Sequence, residues 1–247
     1  MNNDAHPLRQ WTSARVGTGR TGGSLPHHEL LRFRLDHAKA RDAVHAPFDP
    51  ASLAGELESL EHPILLAPSQ ASDRATYLQR PDLGRRLSPE GRERLIAAKG
   101  DYDLVVILSD GLSATAVHHQ GPPLLRVLLP LLANWSLAPL VIAPFARVAL
   151  QDEIGHALGA RAALILLGER PGLGSPDSLG AYLAHDPKPG NTDAKRNCVS
   201  NIRPEGLPAT AAAHRISWLT HESRRLGFSG VDLKDTSNAT ALGRASD

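Results

Sequence analysis

The sequence is short of several things, and each shortage removes a class of function. It has one cysteine, Cys198, in 247 residues. A disulfide framework within the chain and a four-thiolate metal site are both excluded. Phe, Trp and Tyr together make up only 4%, too few for the stacked aromatic platforms that bind single-stranded nucleic acid. Charge of one sign is missing as well. Lys and Arg number 27 against 26 Asp and Glu, so no global field draws the chain to nucleic acid or to a membrane surface. Long apolar runs are also absent. The richest stretch, "LLRVLLPLLANW", is broken by Arg126 and Pro130 and falls short of the ~18 uninterrupted apolar residues of a membrane span. The N-terminus "MNNDAHPLRQWTSARVG" contains no apolar segment of the secretory kind. These features describe a soluble, cytoplasmic protein large enough to bury a substantial core.

What is present divides into three regions. Residues 1–24 are polar and glycine-rich without periodicity and read as a flexible arm. From 25 to 100 the pattern is helical. Leu30, Phe33, His37, Ala40 and Val44 recur at three- and four-residue steps, with Ser24 as a candidate cap and Pro26 suited to a first turn. A second helix is expected over about 52–60. The proline-broken stretch 63–87 has no clear period, and Ser88-Pro89-Glu90 opens another helix that runs to about Lys99. From 101 the character changes. "DLVVILS", "PLVIAP" and "ALILLG" are short continuous apolar runs, as strands buried on both faces read. Helical segments separate them: one from 112, another over 123–135, and a third over 150–159 that ends at Gly159. This alternation predicts a Rossmann-like parallel sheet with right-handed crossovers over 101–247. A weaker strand at 180–184, a loop through Cys198, a helix from Ala209 to Leu226 and an edge strand at "GVDL" near 230 complete the expected α/β fold.

Four places are candidates for chemistry. "GTGRTG", Gly17 to Gly22, matches the dinucleotide fingerprint by letter, but no strand precedes it and no helix opens on its last glycine. It reads as part of the arm. "SDGLSATAVHH" places Asp110, Ser113 and His118 near the end of the first strand, where a stand-alone α/β hydrolase could use them. The nucleophile elbow G-x-S-x-G is absent. Adjacent His118 and His119 diverge by ~100° on a helix, poorly placed to share a metal. A turn at Asp110-Gly111 with Ser113 capping the next helix is the simpler reading. "GERPGLG", residues 168–174, follows the third strand, where ligands sit in open parallel sheets. Gly168 and Gly172 permit close backbone approach. Glu169 offers acceptors that either meet a ligand or tie the loop to its neighbours. Cys198 is bracketed by Lys195, Arg196 and Arg203; such cations can activate a thiol, although a lone cysteine more often packs as a small apolar group.

The segments "RVGTGRTGG", "DHAKARDAV", "RPDLGRRL", "VVILSDGLSATAV", "ARVALQDEIG", "GERPGLGSPDSLGAYL" and "RNCVSNIRPEG" occur in this order over about 15–235. Together they resemble the small subunit of ethanolamine ammonia-lyase. The resemblance implies an adenosylcobalamin enzyme that converts ethanolamine to acetaldehyde and ammonia by radical elimination. It places the substrate in a large subunit built as a TIM barrel, and it implies a higher hetero-oligomer. It also implies cofactor contacts at Val148 in "ARVALQ", Glu169 in "GERPGLG" and Cys198 in "RNCVSN". On that reading Glu169 accepts hydrogen bonds from corrin amides and Val148 meets an apolar edge, while Cys198 acts through backbone or by packing. Neither "DAHPLR" nor "DHAKAR" matches the Asp-x-His-x-x-Gly motif that puts a histidine on cobalt, which agrees with a base-on cofactor and no cobalt ligand in this chain. The arginine-rich stretch 74–92 and the arm 1–24 are candidate contacts for the large subunit, with a solvated face as the alternative. Some relatives use a longer N-terminus for delivery into a bacterial microcompartment; the arm here is short and has no evident amphipathic helix.

Overall fold

A computed structural model describes residues 7–10 and 14–237. The remaining parts of the expected arm, 1–6 and 11–13, and the last ten residues lie outside the described residues. The fold is α/β, centred on a six-stranded sheet with helices on both faces.

The N-terminal helices follow local signals. α1 (His27–His45) begins directly after Pro26, and Ser24 does not cap it. α2 (Pro50–Leu57) is capped by Asp49, whose carboxylate accepts from the N–H groups of Ala51 and Ser52. α4 (Pro89–Ala97) is capped by Ser88 as expected. Between them lie α3 (Arg74–Gln79), capped by Asp73, and a short strand, β1 (Ile64–Leu66). β1 lies in the proline-broken stretch 63–87, which has no clear period within a region expected to be helical, and it pairs in parallel with β3 (Leu140–Ile142) and joins the main sheet.

β2 (Tyr102–Ser109), β3 and β4 (Ala160–Gly168) are the three expected apolar runs, and all three pair in parallel. The sheet order is β1-β3-β2-β4-β5-β6. Its last two strands depart from a purely parallel sheet: β5 (Leu179–His185) and β6 (Arg196–Ile202) each run antiparallel to their neighbours. The connection from β4 to β5 spans residues 169–178 and is too short for a helical crossover, so the chain can only fold back on itself. β6 replaces the loop expected through Cys198. "GVDL" is not a strand among the described residues. The Asn197 side chain takes it up instead, accepting from Gly230 N and donating to the Gly230 and Leu233 carbonyls.

The two helical segments expected between β2 and β3 form one helix, α5 (Ala114–Leu131), which carries Pro122, Pro123 and Pro130 inside it. Each proline costs an intrahelical N–H. The helix persists because its apolar face, with Val117, Leu124, Leu125 and Leu128 fully buried, packs against the sheet and against α7 (Ala209–Leu226). α6 (Leu150–Leu158) ends on Gly159 at φ 77°, as the sequence suggested.

The two sheet faces are covered unequally. α5 and α7 lie on one face and extend over β5 and β6. On the other, α6 packs on β4 and β2, with α4 beside it. One continuous rung crosses all six strands: Leu65, Val141, Ile107, Ile165, Tyr182, Cys198. It is aliphatic where α4 and α6 cover it and becomes Tyr and Cys where they do not. Among the described residues no helix is long and apolar enough to cross a membrane.

Candidate functional site

The uncovered end of that rung is the floor of a two-lobed cleft. The larger lobe, about 690 Å³, is lined by Tyr182 and Cys198 from the sheet, by Val148 and Ala149 ahead of α6, and by Arg85, Arg147 and Arg196. The smaller, about 400 Å³, opens over the ends of β2 and β4, between Leu112, Leu167 and Glu169. Arg147, Val148 and Tyr182 line both lobes and form the ridge between them. The cleft thus sits where an open α/β sheet offers a binding crevice, at the carboxyl ends of parallel strands.

The three residues that the family resemblance implies fall on this cleft. Val148 stands on the shared ridge, Glu169 in the smaller lobe and Cys198 in the larger. Glu169 Oε2 accepts from Ser178 Oγ at 2.6 Å and from Asn201 N at 3.2 Å; its Oε1 has no hydrogen-bond partner among the described residues. The loop-tying role and an available acceptor therefore coexist in one carboxylate. Cys198 is exposed and stands opposite Tyr182 on the neighbouring strand. Desolvation by the cleft walls pushes its thiol pKa up, while a hydrogen bond with Tyr182 pulls it down. Of the cations that bracket it in sequence, Arg196 is spent elsewhere. That guanidinium is almost wholly buried, paired with Asp152 and, at 2.6 Å, with Asp193.

Gly168 is needed for a different reason from the one expected. A Cβ there would lie 2.1 Å from the Ser113 carbonyl and 2.3 Å from that of Asp110. The glycine lets the 110–113 turn close over β4, with Leu112 N donating to Gly168 O at 2.8 Å. Ser113 also reaches the loop, its Oγ donating to Pro176 O at 2.9 Å. The connection from Gly168 to Ser178 that contains "GERPGLG" is thereby fastened at Gly168 and at Pro176 beside the cleft.

The hydrolase constellation does not assemble. Ser113 Oγ caps α5 by accepting from Ala116 N, as the simpler reading had it. His118 Nδ1 is bonded to Glu56 at 2.8 Å. Asp110 is fully buried; it accepts from Phe145 N at 2.7 Å and pairs with Arg74 at 2.8 Å. Burial pushes the Asp110 carboxyl upward, opposed by Phe145 N–H and Arg74. None of the three faces another in catalytic geometry. The "GTGRTG" stretch opens no helix, since α1 starts only at His27.

Sequence reasoning missed Arg147 and Tyr77, and read Arg85 only as part of the arginine-rich stretch 74–92. Tyr77 is buried and packs between two arginines, with Arg147 4.1 Å and Arg74 5.3 Å from its ring centre. Burial pushes its phenol up to about 12. Arg147 is held by its own N–H on Gly84 O at 2.7 Å and by Nη2 on Tyr77 O at 3.0 Å. Its partners come from some 60 residues earlier, so no local pattern could have marked it. The arginine-rich stretch 74–92 is also no uniform basic face: Arg74, Arg80 and Arg92 pair with Asp110, Asp82 and Glu153.

Comparison with known proteins gives one consistent result. The family model described as "Ethanolamine ammonia-lyase light chain (EutC)" matches residues 2–234. Curated proteins named ethanolamine ammonia-lyase small subunit align over nearly the whole chain. One from Pseudomonas fluorescens is 52% identical over 95% of this chain and 87% of its own length. One from Rhodopseudomonas palustris is 54% identical over 93% and 89%, and one from Xanthomonas campestris is 50% identical over 96% and 89%.

Proposed function

The chain belongs to the ethanolamine ammonia-lyase light-chain family, and on that premise we propose that it is the small subunit of an adenosylcobalamin-dependent ethanolamine ammonia-lyase whose cleft holds one side of the cofactor. The observation that carries this reading is the convergence of Val148, Glu169 and Cys198, separated by up to 50 residues of chain, on the adjoining lobes of one cleft.

The residues suit such a group. A corrin rim presents amide N–H groups, amide carbonyls and apolar edges. Glu169 Oε1 is an acceptor with no donor among the described residues, and Val148 is a half-buried apolar ridge. The Arg147 Nε is buried with no partner among the described residues, a cost that a bound acceptor would relieve. Bound cofactor would supply the radical chemistry, through homolysis of its cobalt–carbon bond. This chain's residues bind and orient. Glu169 fixes rim amides, Val148 excludes water from the edge it touches, and the Tyr182–Cys198 pair forms the floor. The Ser113 and Glu169 bonds to the 169–178 loop keep that wall rigid, and rigidity favours a single orientation of the bound group.

The cleft is open on the side away from the sheet, which leaves the opposite face of the cofactor to the large subunit. Ethanolamine binding belongs to that partner, a TIM barrel, in a higher hetero-oligomer located in the cytoplasm. Given ethanolamine and adenosylcobalamin, the purified chain alone should release no acetaldehyde; the chain assembled with its large subunit should release acetaldehyde and ammonia. Full activity from the large subunit without this chain, or ester hydrolysis by this chain alone, would overturn the reading.

A further inference from the structure

The larger lobe contains positive charge that the protein leaves uncompensated. Of its three arginines, Arg196 is neutralised by Asp152 and Asp193. Arg85 and Arg147 are not: neither has a carboxylate partner within ion-pair distance among the described residues. Arg85 is exposed at the rim. Arg147 lies deeper on the ridge, its stem enclosed by Gly84 and Tyr77 and its Nε buried without an acceptor. Its neighbour across the Tyr77 ring, Arg74, by contrast has a carboxylate: its Nη1 donates to Asp110 and Gly111 O and its Nε to Val44 O.

The backbone adds donors at the same place. Leu150, Gln151 and Asp152 give their N–H groups to the carbonyls of Arg147, Val148 and Ala149. Val148 and Ala149 precede α6 and line the lobe, and their N–H groups have no acceptor among the described residues. Two guanidinium groups, one of them rigidly held, and two residues with free amides thus line one lobe with no acceptor among the described residues, since the one carboxylate lining it, Asp193, is paired with Arg196. Arginine forks and consecutive backbone N–H groups are the recurrent means of holding a phosphate.

We propose that Arg85, Arg147 and the Val148 and Ala149 amides form a phosphodiester-binding corner, and that it holds the phosphate of the cofactor's nucleotide arm. This rests on the reading of the cleft as a cobalamin site and assigns a second, charged contact within it. Glu169 in the smaller lobe and the cationic corner in the larger then grip chemically opposite parts of one ligand, so the corrin can seat in only one direction.

Corrinoids that differ only in the arm test this. The complex with the large subunit would be titrated spectrophotometrically with cyanocobalamin, with cobinamide phosphate and with cobinamide, which has no phosphate. Arg147→Gln should weaken cyanocobalamin and cobinamide phosphate by about ten- to a hundredfold, the scale of a charge-assisted hydrogen bond, and leave cobinamide unchanged. Arg85→Gln alters an exposed, unpaired side chain that folding does not need, and it should show the same selectivity to a smaller degree. Equal losses for all three corrinoids in both variants, or no loss in either, would overturn the corner. Glu169→Gln separates this failure from a failure of the cleft itself: it should weaken all three corrinoids alike. If it does so while neither arginine variant discriminates, only the phosphate corner falls; if it too changes nothing, the cleft reading falls as well.

Discussion

Asp110 holds Phe145 in a backbone conformation that phenylalanine rarely adopts. The carboxylate at the end of β2 accepts the Phe145 N–H at 2.7 Å, and Phe145 sits at φ 58° just past β3. Ser69 completes the clamp by donating to Phe145 O at 2.8 Å. Left-handed backbone at a bulky residue is costly and persists only where the surroundings over-determine it. The turn it makes delivers Arg147 and Val148 to the cleft two and three residues later.

Asp110→Ala should therefore destabilise the fold strongly, because it leaves Arg74 as a nearly buried, unpaired cation. Loss of one partner of such a pair costs about 3–5 kcal/mol, which for a chain of this size corresponds to a drop in Tm on the order of 10 °C. The double variant Arg74→Met/Asp110→Asn removes both charges and should recover part of that loss. Thermal unfolding of the three proteins checks it. A change below about 1 kcal/mol for Asp110→Ala would show that the clamp is not structural.

Glu169→Ala should reduce cobalamin affinity of the assembled complex by about 1–3 kcal/mol, roughly five- to 150-fold, as donors on the ligand lose their acceptor. Val148→Glu should reduce it at least as much, since it places a carboxylate on the ridge shared by both lobes. Size-exclusion chromatography shows whether the complex still assembles, and absorbance titration reads the affinity. Normal binding in both variants would contradict the assigned roles.

The lone thiol gives an independent probe. Its pKa is raised above the ordinary thiol range, chiefly by desolvation, so less of it is thiolate at pH 8 than in an unfolded chain. Iodoacetamide should label native Cys198 more slowly than the urea-unfolded protein. Tyr182→Phe removes the hydrogen bond that lowers the pKa and should slow labelling further. Mass spectrometry gives both rates, and faster labelling of the native protein would refute this environment.

His185 makes stability depend on pH in a definite direction. Its Nδ1 is buried without a partner among the described residues, and burial lowers its pKa below 6.5. Protonation thus favours the unfolded chain. The contribution of the neutral ring is complete above about pH 6.5 and disappears as pH falls through the lower folded value. Tm should drop between pH 7 and pH 5, and His185→Leu should flatten that slope. An identical slope in the variant would place the acid sensitivity elsewhere.

Much of this was legible before the structure, for identifiable reasons. β2, β3 and β4 are uninterrupted runs of Val, Ile and Leu, and only a strand covered on both faces explains them. The "GERPGLG" loop could be placed at the crevice because position in an alternating βα chain fixes which strand end a loop follows. β6 was hidden because "RNCVSNI" carries an arginine whose charge is cancelled by Asp152, 44 residues earlier, a pairing that leaves no local trace. α5 was divided because proline propensity speaks locally, whereas the buried leucines that outweigh it act through tertiary contact. Arg147 remained invisible for the same reason: its significance comes from Gly84, Tyr77 and the Phe145 turn, and no spacing encodes them.

The most direct test is an experimental structure of the two-subunit complex loaded with cyanocobalamin. The account predicts the corrin rim against Val148 and Glu169, with the floor at Tyr182 and Cys198 beneath it and the nucleotide phosphate toward Arg147. Cobalamin bound wholly within the large subunit, with solvent between Val148 and Cys198, would contradict it.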